Sequence, residues 1–315
     1  MTHEKKETYP DFIIGKDNEG NERQFTCDPK KLSNFFRKFP GAPMYTTLVF
    51  FQSDVLKKYY DSPEKYSVED GLVRHGYEWA IPIDNQNSNY VSAYLGDLGR
   101  DLPEQERYHW KSYNIVGDMK LSTAKFKRDM MAEFAEAEAT DLIFRQNYEQ
   151  LNRTFQQELS WSIFKPFHTN DNHCLHSLRV PLNESIVEFE NNVIYLVKCL
   201  IDSLNEEIFR KYISPDDKSK PGISKLETFL TFCGLNNSDF TTHINFLRRL
   251  QKIRSKGAAH RKGSDYEKFC TDSGLDLNNK KLAFEQLLKD ANNFLNYLLQ
   301  SLPSIKSAIE SQHNN

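Results

Sequence analysis

The residues that most constrain this chain lie between positions 186 and 208, where Ile186, Phe189, Val193, Leu196, Val197, Leu200, Leu204 and Ile208 recur every three to four residues. That is the period of an α-helix, and it draws one continuous apolar face along about six turns. A face of that length has to be covered by other helices. The chain supplies candidates for them. Pro215 and Pro221 bracket a polar loop, after which Ser224 and Glu227 have the spacing of a capping box ahead of Leu226, Phe229, Leu230 and Cys233, and Gly234 stands where a helix stops. A third helix is predicted from residue 238 or 239, carrying Phe240, Ile244, Leu247, Leu250 and Ile253. A fourth is predicted from about residue 280, with Phe284, Leu287, Leu288, Ala291, Phe294, Leu295, Leu298 and Leu302 ahead of Pro303. Residues 183–310 are therefore read as an antiparallel, all-α bundle of four helices.

The N-terminal half has a different pattern, and a mixed α+β domain with a small sheet is predicted over residues 41–160. Residues 1–40 are charged, with one short helix predicted near 29–38, and read as an arm. Residues 44–52 are dense in Thr, Val, Leu and Phe, a strand composition, and 54–60 fit a short helix. Two further strands, 77–83 and 90–95, are separated by Asp84, Asn85, Gln86, Asn87, Ser88 and Asn89, so a hairpin is predicted. Phe126, Met130, Met131 and Phe134 give 122–138 a helical spacing, and Tyr148, Leu151, Phe155 and Leu159 do the same for 142–159. Residues 161–182 read as a connecting loop.

At 315 residues, with 38% hydrophobic residues, 22 Phe and 15 Tyr, the chain has the material for two packed cores. The polar start, residues 1–7, is unlike a signal peptide, and no apolar run reaches the ~18 residues of a membrane span, so a cytoplasmic protein without membrane contact is expected. Cys27, Cys174, Cys199, Cys233 and Cys270 are odd in number and lack a Cys-x-x-Cys pair, the pattern of buried reduced thiols rather than of disulfides or zinc ligands.

Charge is distributed unevenly. The formal net charge is −3, yet between residues 241 and 264 stand Arg248, Arg249, Lys252, Arg254, Lys256, Arg261 and Lys262, with no Asp or Glu. Such a run predicts a positive patch able to contact nucleic acid. Within it, Arg254 and His260 would lie on different faces of an unbroken helix. A helix that bends or stops at Gly257 would bring them to one site. An imidazole titrating near neutrality and a guanidinium that grips phosphate are sufficient parts for cleaving a phosphodiester without a metal. The alternative is that both only complement the negative end of a helix dipole.

An Arg, then a polar residue, then a His near the end of a helix in a C-terminal four-helix bundle resembles the HEPN superfamily, over roughly residues 183–302. Many HEPN proteins are metal-independent endoribonucleases of toxin and antiviral defence systems. The resemblance implies that Arg254 and His260 form the catalytic pair, with Ser255 in the polar position, where many active members carry Asn, Asp or His. It also implies RNA as substrate, a homodimer, a regulatory or antitoxin partner, and no cofactor or metal. The N-terminal domain would then sense or regulate. The alternative function is a non-catalytic module binding RNA, a nucleotide or a partner protein.

Two other segments invite a chemical reading. His168, His173, Cys174 and His176, with Asp171, are read as structural or surface residues rather than a metal site. The run from Gly96 through Asp97, Gly99 and Asp101 to Pro103 reads as a turn-rich loop. The aromatics around it, Trp79, Tyr90, Tyr94, Tyr108, Trp110 and Tyr113, read as core.

Overall fold

The computed structural model describes residues 7–34, 36, 38–117, 120–259 and 264–313. The chain divides between Ala139 and Thr140 into two compact units, a mixed α/β unit and a helical one. The boundary is therefore some twenty positions earlier than the predicted end of the first domain.

In the first unit, the predicted arm contains a β-hairpin, β1 (Asp11–Lys16) with β2 (Glu22–Thr26), turned at Asp17, whose carboxylate accepts the amides of Glu19 and Asn21. The arm carries core as well as charge, since Phe12, Cys27 and Leu32 are buried. Next come β3 (Leu48–Gln52), the short helix α1 (Lys57–Tyr60), and a meander of β4 (Tyr66–Glu69), β5 (Leu72–His75) and β6 (Trp79–Pro82). The predicted hairpin is not formed. β7 (Tyr90–Tyr94) pairs with β3, and its link to the residues after β6 is one antiparallel bridge, Asp84 with Ser92. The turn formers between them bond elsewhere, Asn85 to Gly71 and Asp84 to the amide of Ser122.

The predicted glycine-rich loop is a helix, α2 (Leu95–Asp101). Its glycines serve close approach rather than turning, because a Cβ at Gly96 would overlap the ring of Tyr45 and one at Gly99 the carbonyl of Cys27. Helix α3 (Glu104–Ser112) and strand β8 (Asn114–Ile115) follow, completing the antiparallel sheet β7-β3-β8. Trp110 is fully buried, and its indole N–H donates to the Tyr59 hydroxyl, which donates in turn to Glu106. Tyr108, in contrast, is half-exposed. The helix predicted over 122–138 is short: α4 (Thr123–Phe126) continues as one π-turn to Met131 and stops at Ala132, whose φ of 52° is left-handed. Phe126, Met130, Met131 and Phe134 are exposed, so their helical spacing does not mark a buried face.

The second unit opens with α5 (Thr140–Leu159), which the sequence had placed in the first domain. The predicted connecting loop is core: Ile163, Phe164, Leu175, Leu178 and Val180 are buried, around the short helix α6 (His173–Ser177). Arg145 donates to the carbonyl of Leu178, and a buried pair, Arg179 with Glu188 at 2.8 Å, ties the segment to α7 (Ile186–Val197). After a π-turn over Lys198–Asp202, the long apolar stripe breaks before α8 (Glu206–Tyr212). The backbone there is taken by the loop segment, with Lys165 N–H donating to Ser203 O (2.6 Å) and Asn205 N–H to Ile163 O (3.0 Å).

Helix α9 (Gly222–Phe232) begins before Ser224, so the predicted capping box lies inside the helix. α10 (Ser238–Ala259) starts where the sequence indicated, and α11 (Ser264–Asp272) was not foreseen. The last helix, α12 (Lys280–His313), runs through Pro303, held past it by buried Ile305 and Ile309. It packs against α5, where the Asn147 amide donates to Asn292 at 2.8 Å. The helical region therefore has more members than the predicted four.

All five cysteines are buried and unbridged. Cys174 is buried while His168 and His176 are exposed, and Asp171 is held by Lys198 at 2.7 Å. Among the described residues no group of three or more His, Cys, Asp or Glu is placed to hold a metal ion.

Candidate nucleic-acid interface

Helix α10 buries Phe240, Ile244, Leu247, Leu250 and Ile253, which fixes the direction of every other side chain on it. At about 100° per residue, Arg249, Lys252 and Lys256 share the outward side with Asn245, whereas Arg254 follows the inward row of Leu247 and Leu250. Arg254 therefore stands where the core gives out at the end of the helix, only partly exposed.

The basic run is not a run of free charge. Arg254 Nη1 lies 2.8 and 3.1 Å from the two carboxylate oxygens of Asp202, the last residue of the π-turn after α7. Arg248 is paired with Glu227 of α9, and Arg249 with Asp290 of α12 and, at 3.2 Å, the carbonyl of Ser273. Each arginine meets a carboxylate from a different part of the fold, so the absence of acids along residues 241–264 does not carry over into space. Lys252 and Lys256 are exposed, and the Lys256 ammonium is 4.8 Å from the centre of the Phe269 ring. The Ser255 hydroxyl turns back to donate to the carbonyl of Lys252 at 3.0 Å. His260, Arg261 and Lys262 lie outside the described residues.

The expected break at Gly257 is not there, since α10 continues through it to Ala259. Its glycine answers a packing need. A Cβ at this position would meet the Tyr266 hydroxyl at 3.0 Å and its ring carbons at 3.2 and 3.3 Å, so the missing side chain lets α11 approach.

Asp202, Glu227 and Asp290 carry no signal in the sequence, because their roles depend on packing between helices far apart in the chain. The same packing forms a cavity of about 440 Å³ between α10 and α12, lined by His243, Asn245, Phe246, Arg249, Asp290 and Asn293. The His243 ring lies 4.7 Å from that of Tyr297, and burial lowers its pKa below the usual 6.5, keeping the imidazole neutral at pH 7. The one signal available was the i, i+4 spacing of Asn245 and Arg249. Comparison of the chain with protein-family models, with curated proteins and with solved structures returned no match.

Proposed function

We propose that the second unit is a metal-independent endoribonuclease of the HEPN kind, acting in a toxin or antiphage-defence setting, with the first unit sensing or regulating. His260 takes the proton from a 2′-hydroxyl, the freed oxygen attacks the adjacent phosphorus, and the 5′-oxygen leaves with a proton. The products are a 2′,3′-cyclic phosphate and a 5′-hydroxyl. Arg254 stabilises the charge that gathers on the phosphoryl oxygens, and Ser255 borders the site. A homodimer completes it, because the leaving oxygen needs an acid and each chain has one histidine in this segment; a two-fold axis beside the helix end would supply the second. No cofactor is called for.

The observation that carries this reading is the state of Arg254. It is partly exposed near the end of α10, and Asp202 engages only Nη1, so no hydrogen bond engages its remaining N–H donors among the described residues. That is a positioned guanidinium with donors to spare for phosphate. Arg254→Ala and His260→Ala are each expected to lower RNA cleavage by about 10² to 10⁴ without changing the thermal melt. Parent-like cleavage by both variants would end the proposal.

A second reading is a binding module without chemistry, holding RNA, a nucleotide or a partner protein through Lys252, Lys256, Arg261 and Lys262. It is favoured by the pairing of Arg248, Arg249 and Arg254 with carboxylates and by the inward turn of Ser255. Tight RNA binding by a parent protein that does not cut would select it.

A further inference from the structure

We propose that the groove between α10 and α12 is a nucleotide-binding site, with the base in the cavity and the phosphate on the lysines that follow it along α10. This site uses none of Arg254, Ser255 and His260, so it does not depend on the ribonuclease reading; its lysines are those of the binding-module reading, which it deepens.

The cavity walls match a nucleobase in three ways. First, the carboxamides of Asn245 and Asn293 are exposed at its edge and make no hydrogen bond among the described residues, nor does the ring of His243. Two carboxamides and a neutral imidazole offer donors and acceptors together, which is what the polar edge of a base requires. Second, the charge inside the cavity is cancelled, because Arg249 is paired with Asp290. A neutral heterocycle is accommodated there, and a bare phosphate is not. Third, flat apolar surface is present: Phe246 is buried in the wall, with the Arg249 guanidinium 5.8 Å from its ring centre, and His243 lies against Tyr297. The volume of about 440 Å³ falls within the ~300–1,000 Å³ usual for small-ligand sites.

The anion anchor lies beside the cavity. Lys252 follows Arg249 by three residues, which is about 4.5 Å along the helix, and Lys256 follows Lys252 by one further turn on the same side. Both are exposed, and no ion pair to a carboxylate engages either among the described residues. A base between Asn245 and Asn293 would leave its phosphate within reach of Lys252, and a following nucleotide within reach of Lys256. The chemistry is therefore that of one nucleotide, either free or as part of a single strand.

The test titrates the full-length protein with AMP, GMP, CMP and UMP, and with fluorescent ten-nucleotide homopolymers of the same four bases. At least one base is expected to be preferred by about fivefold or more. The double variant Asn245→Ala/Asn293→Ala is expected to remove that preference, while Lys252→Ala/Lys256→Ala weakens every probe by a common factor and keeps the preference. Response to mononucleotides identifies a free nucleotide as the ligand. Response to the homopolymers alone identifies a strand. Failure of all eight probes to bind, or a preference unchanged in the asparagine variant, would overturn the proposal. Cleavage assays on Arg254→Ala and His260→Ala report separately on the ribonuclease reading.

Discussion

Replacing Asp202 by Asn tests what Arg254 is for. The pair is about a third to a half exposed, at 31% for Arg254 and 45% for Asp202, so its loss should cost the fold no more than about 1 kcal/mol. Its electrostatic effect on a ligand is larger. A phosphate bound on the far side of the guanidinium would sit about 6 Å from the carboxylate, a repulsion of about 0.7 kcal/mol at the dielectric of water and about 3 kcal/mol at an effective value of 20. Asp202→Asn is then expected to tighten RNA binding by about threefold to a hundredfold. Cleavage by the bound enzyme should nevertheless slow, because an amide holds the guanidinium less firmly than a carboxylate that chelates Nη1. Fluorescence anisotropy at physiological salt gives the first quantity and single-turnover kinetics the second, with a thermal melt as control. A folded Asp202→Asn protein that binds RNA no more tightly than its parent would refute the placement of Arg254 at a phosphate.

Three further outcomes follow from the packing and the proposed dimer. Gly257→Ala gains about 1 kcal/mol of helix propensity but drives a methyl into Tyr266, so the net change in urea denaturation should be a loss of up to about 2 kcal/mol, reduced when Tyr266→Phe removes the nearest atom. Burial raises the pKa of Asp141 above 3.8, so its contribution to stability is present below that value and is lost as pH rises through the raised one. Asp141→Asn stays neutral and should gain on its parent as pH rises above about 4, whereas a constant difference in melting temperature would contradict this. Mixing parental chains with an equal amount of His260→Ala chains leaves about half of the parental chains paired with a mutant, so cleavage per parental chain should fall by about half if the site needs a histidine from each subunit, and should not fall if each site lies within one chain.

What the sequence disclosed and what it concealed follow from the range of the interactions involved. Helix α10 was legible because Phe240, Ile244, Leu247, Leu250 and Ile253 all face the core, so the 3.6-residue period is written without interruption. The stripe over 186–208 has the same period and yet breaks, because Ile163 and Lys165, some forty positions earlier, take the backbone groups of Ser203 and Asn205. No local pattern announces that exchange. The glycines misled for a related reason. Gly96, Gly99 and Gly257 look like punctuation, but each sits inside a helix where a neighbour from elsewhere needs the room of a Cβ. Charge was the least legible property, since Arg248, Arg249 and Arg254 are neutral in context only through Glu227, Asp290 and Asp202. An acid-free run of sequence is a statement about one helix, whereas a positive surface depends on every helix packed against it.

The proposed metal-free cleavage of RNA is tested by incubating the purified full-length protein with 5′-labelled RNA in excess EDTA and analysing the ends produced. Cleavage that EDTA does not suppress is expected, leaving a 2′,3′-cyclic phosphate on the upstream fragment and a 5′-hydroxyl on the downstream one. Cleavage that EDTA abolishes, products ending in a 3′-hydroxyl, or intact RNA at saturating protein would contradict it.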